Sequence, residues 1–106
     1  MRNAILAACL TAIAAVPATA LAGGDAEAGK SKSAACSICH GADGKAQIPF
    51  YPNLAGQNEV YLLNALKAYR NGERKGSYAS MMTPNVAALS DEDLADLAAY
   101  YHSLKP

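Results

Sequence analysis

The chain has no surplus of either charge: nine Lys and Arg stand against nine Asp and Glu in 106 residues. That balance gives no reason to expect nucleic-acid binding. Long apolar runs are scarce too. The one such run, Ala4 to Val16, is shorter than the roughly 20 residues a bilayer-spanning helix needs. No stretch repeats, and no alternating pattern of strand-forming residues appears, so neither a repeat array nor a sheet is expected. Cysteine is limited to Cys9, Cys36 and Cys39.

What is present begins with a leader. Arg2, the apolar run and the small-residue exit Pro17 to Ala22 have the order of a secretory signal peptide. Cleavage after Ala22 is expected, with Ala20 the competing site, because the polar Gly23-Gly24-Asp25 follows directly. A membrane anchor is the alternative, against which the shortness of the run speaks. Cys9 lies inside the apolar run, too early for a lipoprotein site. The domain organisation expected is therefore signal peptide 1–22 and one domain 23–106. The protein is expected to be periplasmic, with no membrane span after signal removal.

The remaining 84 residues carry eight basic and nine acidic side chains and only Cys36 and Cys39. A domain so small sits near the limit, roughly 70 to 80 residues, below which a staple or cofactor is usual. Three helices are expected. The first, about Asp25 to Cys36, has acids early and lysines late, the order a helix dipole favours. The second, Asn58 to Tyr69, repeats Leu62, Leu66 and Tyr69 on one face and stops before Gly72. The third opens on the capping box Ser90 to Asp93, repeats Leu94, Leu97, Ala98, Tyr101 and Leu104, and runs to about Leu104. Its acids Asp91, Glu92, Asp93 and Asp96 read as dipole partners on a solvated face. Gly41 to Gln57 and Arg70 to Pro84 read as loops. Loops of that length in so small an all-α domain need something to pack them.

Cys36-Ser37-Ile38-Cys39-His40 supplies a candidate. Two thiols three residues apart can add across the two vinyl groups of haem, and the next residue, His40, then comes beneath the iron as an axial ligand. A zinc site would need more ligands than the chain offers, since only His102 and carboxylates remain. A thioredoxin-like pair would want a βαβ context. A disulfide would leave His40 and the long loops unexplained.

The sixth iron position separates electron transfer from chemistry at the metal, because a thioether there holds iron in both oxidation states whereas an open site binds small ligands. Met81 and Met82 are both candidates. His102, off the apolar face of the last helix and near its C-terminus, reads as a surface residue.

With these residues the chain resembles the class I c-type cytochromes, specifically the small bacterial monohaem members of the cytochrome c4, c5 and c553 kind and the units paired in tandem in dihaem cytochromes. The resemblance rests on Asp25-Ala26-Glu27-Ala28-Gly29, Cys36 to Gly41, Pro52 to Gln57, Leu89 to Leu94 and Ala98-Ala99-Tyr100. It implies an all-α fold of three main helices and long loops wrapped around one covalent haem c. Counting back seven residues from Leu89, it implies Met82 as the iron ligand, with Met81 the one-residue substitute. It also implies that the Pro52 carbonyl accepts the other imidazole hydrogen of His40, and that Gly29 meets Tyr100 where the first and last helices cross. The tandem relatives carry two haem motifs and this chain has one.

The function expected is electron carriage by a His40/Met82-ligated haem c held through Cys36 and Cys39, cycling between Fe(II) and Fe(III), with no catalytic residue. Partners would be redox protein donors and acceptors, such as a flavoprotein dehydrogenase or a terminal oxidase. The alternative is the cytochrome subunit of a periplasmic dehydrogenase, for instance a flavocytochrome oxidising a sulfur compound. A haem enzyme or gas sensor is disfavoured by Met82. Lys67, Arg70, Arg74 and Lys75 read either as a patch steering an acidic partner or as an ordinary solvated helix end.

Overall fold

The computed structural model describes residues 23–76 and 78–106; the signal peptide expected at 1–22 lies outside them. Five helices and no strand are found among the described residues: α1 (Ala26–Lys32), α2 (Ala34–His40), α3 (Glu59–Arg70), α4 (Ala79–Val86) and α5 (Asp91–Ser103). The three expected helices are present as the main frame, and two features are additional.

The first expected helix is two. Asp25 caps α1 by accepting from the N–H groups of Glu27 and Ala28. At Ser33 the ladder stops, because its N–H and hydroxyl both turn back onto the Lys30 carbonyl, at 3.2 and 2.7 Å. The chain restarts as α2, which carries Cys36, Cys39 and His40.

The second expected loop contains α4. Its residues, Ala-Ser-Met-Met-Thr-Pro-Asn-Val, show no strong apolar period and include Pro84. Tertiary contact supports the helix: α4 packs on α3, and the Thr83 hydroxyl reaches both the Tyr69 carbonyl of α3 and its own Ala79 carbonyl.

The core centres on α5, against which α1 and α3 pack. Leu94, Leu97, Ala98 and Tyr101 are buried there with Leu62 of α3. The Ser90–Asp93 capping box is formed in both directions. The α1/α5 crossing is so close that a Cβ on Gly29 would lie 2.0 Å from the Asp96 carbonyl oxygen and 2.7 Å from the Tyr100 Cβ. Only a residue without a side chain permits that approach.

One acid departs from the solvated face. Asp96 is buried, accepting the Asp25 N–H at 2.8 Å and the Lys32 ammonium at 2.6 Å. Lys32 also reaches Asp93 at 2.8 Å, while Asp91 pairs with Arg70 at 2.5 Å. Burial alone would raise the Asp96 carboxyl, but the Asp25 N–H and Lys32 outweigh it and hold it below the usual range. Lys32, with help from the Ser90 N–H, holds Asp93 at about 2. Asp96 thus links the N-terminus of α1 to the middle of α5. Its place among the acids of α5 could not reveal this, because its partners, Asp25 and Lys32, belong to α1 and its cap.

Candidate functional site

The residues singled out in the sequence meet at one cavity of about 1250 Å³ of atom-free space, part of it open to solvent. Helix α2 contributes Cys36, Cys39 and His40; α4 contributes Met81 and Met82; α3 and α5 supply walls that include Leu62, Leu66 and Leu97. Pro52 and its neighbours line it from the loop between α2 and α3.

The helix places the thiols for their chemistry. Residues at i and i+3 share a face, so Cys36 and Cys39 both border the cavity, and both are free thiols rather than a disulfide. Burial pushes the Cys36 thiol above its ordinary range, so that sulfur is uncharged at neutral pH and suits an apolar wall. Burial also pushes up the Tyr101 hydroxyl beside it, which meets no hydrogen-bond partner among the described residues.

His40 is buried, and its Nδ1–H donates to the Pro52 carbonyl oxygen at 2.8 Å. In the neutral ring that bond fixes the tautomer, leaving the Nε2 lone pair as the atom able to bind a metal. The acceptor is positioned by the loop itself. The Leu54 and Ala55 N–H groups converge on the Gly44 carbonyl at 2.7 and 3.1 Å, and the Ala46 N–H donates to Asn53 Oδ1 at 2.8 Å.

Helix α5 then ties this loop down at three points. Tyr100 donates to the Ala42 carbonyl, the Tyr101 carbonyl accepts the Gly56 N–H, and Nδ1 of His102 donates to the Gln57 carbonyl at 2.8 Å. His102 is exposed and does not line the cavity. Its contact with Gln57, which does, had no local signal because the two are 45 residues apart.

Met82 is half-buried at the cavity, whereas Met81 is 44% exposed on its rim. The basic group is not one patch. Arg70 is engaged by Asp91 and by the Leu89 carbonyl, and of the four only Arg74 lines the cavity.

A pocket with two free thiols on one helical face, an oriented imidazole and thioether side chains in an otherwise largely apolar lining fits a covalently attached haem. The donor set decides this. The family model described as Cytochrome c matches residues 26–105. The chain belongs to the cytochrome c family.

This cytochrome is 56% identical over 80 residues to cytochrome c-554(548) of Halomonas halodenitrificans, covering 76% of this chain and 96% of that one. To cytochrome c4 of Pseudomonas aeruginosa it is 49% identical over 84 residues, covering 79% of this chain and 40% of that one. The structure of reduced recombinant cytochrome c4 from Pseudomonas stutzeri superposes with a TM-score of 0.63 at 43% identity, over 77% of this chain and 46% of that one. The chain thus spans less than half of these cytochrome c4 chains and nearly all of the Halomonas protein. It is a class I c-type cytochrome, an electron carrier with covalent haem c and not an enzyme, and no described helix is long and apolar enough to cross a membrane.

Proposed function

We propose that this cytochrome is an exported, periplasmic electron shuttle whose iron is closed on both faces by His40 and Met82. The observation that carries the reading is the presence of His40, from α2, and Met82, from α4, on one cavity, with Met82 the more buried of the two methionines. Bound haem supplies the one-electron Fe(II)/Fe(III) couple. The protein's part is to hold its surroundings still. Cys36 and Cys39 would anchor the ring through thioethers. The Pro52 carbonyl would keep the His40 ring oriented and strengthen it as a donor. The apolar walls of α3 and α5 would limit water and so favour the less charged, reduced state.

Residues 1–22 would direct export and be removed, giving a mature chain that starts at Gly23. Donor and acceptor would be redox proteins that approach the exposed apolar rim formed by Phe50, Tyr61, Tyr78 and Met81.

The deciding experiment is the spectrum of the exported protein with each methionine changed. Met82→Ala is expected to abolish the Met–iron charge-transfer band and open the reduced iron to carbon monoxide, while Met81→Ala keeps both wild-type properties. The reverse pattern would move the ligand to Met81. An intact mass starting at Gly23 in the periplasmic fraction checks export; co-elution with a flavin-containing chain would make the protein a dehydrogenase subunit instead of a free shuttle.

A further inference from the structure

The cavity wall holds one polar group that the protein leaves unsatisfied. Tyr101 is 3% exposed and lines the cavity, and its hydroxyl meets no hydrogen-bond partner among the described residues. Its neighbour Tyr100, which is not part of that lining, donates to the Ala42 carbonyl. A buried hydroxyl without a partner is costly, and native proteins rarely keep one unless something else supplies the partner.

The surroundings narrow what that partner is. Cys36 packs against the core cluster of Leu62, Leu97, Ala98, Tyr100 and Tyr101, and it borders the same cavity. The Tyr101 oxygen lies beside the Cys36 sulfur and the Ser33 hydroxyl, bonded to neither. Ser33 is already engaged: it is buried at the break between α1 and α2, and its hydroxyl donates to the Lys30 carbonyl at 2.7 Å.

Haem attachment changes what the sulfur can do. When the Cys36 thiol adds to a vinyl group, the S–H bond breaks and an S–C bond forms. The hydrogen goes to the other vinyl carbon, and the carbon–carbon double bond becomes single, so no oxidant or reductant is consumed. A thiol is both a weak donor and a weak acceptor, whereas the thioether left behind can only accept. Beside it stands a hydroxyl that can donate and that burial keeps protonated.

We propose that the Tyr101 hydroxyl donates a hydrogen bond to the Cys36 thioether sulfur of the attached haem and so raises its reduction potential. The positive end of the O–H dipole then points toward the macrocycle, and hydrogen bonding around a redox centre tunes its potential. Tyr101 is thus a positioning residue that acts through Cys36. The inference rests on the reading of Cys36 as an attachment point and not on which methionine binds the iron.

The test is potentiometry at pH 7 on holo-protein carrying Tyr101→Phe, which keeps the ring and removes the hydroxyl. The reduced-to-oxidised ratio at fixed potential is expected to fall about twofold to threefold, threefold being about 28 mV at 59 mV per tenfold for a one-electron couple. The same substitution should change nothing in a Cys36→Ala background, where the haem is held by Cys39, and should keep its effect in a Ser33→Ala background. In the intact motif the resonance Raman band of the thioether C–S stretch should shift with Tyr101→Phe and stay in place with Ser33→Ala, which decides the acceptor even if Cys36→Ala yields no holo-protein. An unchanged or raised potential in Tyr101→Phe, a fall that persists without the Cys36 sulfur, a fall that disappears without the Ser33 hydroxyl, or an unmoved C–S band overturns the proposal. The pyridine haemochrome spectrum, which differs between one and two thioether bonds, is read in the same samples, so a wrong attachment assignment is recognised separately.

Discussion

The two faces of helix α5 are finished in different ways. Toward α1 the protein completes itself: Gly29 lets the helices touch, and Asp96 collects the Asp25 N–H and the Lys32 ammonium. Toward α3 and α4 the same helix borders a cavity, and large apolar residues around it, Phe50 of the loop before α3 at 69% and Tyr61 of α3 at 51% exposure, gain little burial from the protein. A domain as small as the described part of this chain that spends one face on a cofactor has to draw its own cohesion from the other. The self-completed face is therefore expected to respond to changes in shape, and the cavity face to loss of the haem.

The largest effect should follow from breaking the cavity face. Cys36→Ser together with Cys39→Ser removes both attachment points, and haem staining of the denatured protein should be lost along with the cooperative thermal transition. A folded double variant that melts like the holo-protein would show that the loops pack without the covalent bond. On the other face, Gly29→Ala places a methyl group where the Asp96 carbonyl lies and should cost about 3 kcal/mol in denaturant unfolding, with the visible spectrum unchanged. A spectrum that shifts with it would mean the two faces are coupled.

The smallest effect concerns the ion pairs. Both Asp93, at about 2, and Asp96 are held low in the folded state. Their contribution is complete above the ordinary carboxylate pKa of about 3.9 and is lost as pH falls through the lowered folded values. Thermal melts of wild type and Lys32→Gln should differ above about pH 4 and converge as pH falls toward 2. A difference independent of pH would assign the Lys32 effect to packing of its stem. The gap at neutral pH should be modest, since Lys32 and Asp93 are partly exposed and solvent screens them.

Legibility in the sequence followed the range of the interactions. Helix α5 could be read almost to its ends, because its capping box and apolar face repeat within a few residues. Helix α3 was equally plain. The break at Ser33 was not, since Ala-rich residues on both sides favour one continuous helix and only the turn of Ser33 onto Lys30 separates them. Helix α4 was hidden because its support comes from Tyr69 and the side of α3 rather than from its own pattern. Arg74 looked like one of four similar cations; the turn after α3, which bonds its N–H to the Ala68 carbonyl, and the Tyr69 ring under its guanidinium set it apart.

By itself the sequence brought Cys36, Cys39 and His40 together as the run expected to hold the family's covalent haem c, because thiol spacing and adjacency are properties of a single helical turn. It also determined the main helices, through caps and periods of the same short range. Tertiary structure alone decided that Asp96 is buried, that His102 braces Gln57, that Arg70 is taken by Asp91 and that Arg74 reaches the cavity. Except for the turn that aims Arg74, each depends on a partner more than twenty residues away, and no local pattern of residues specifies which distant group will arrive there.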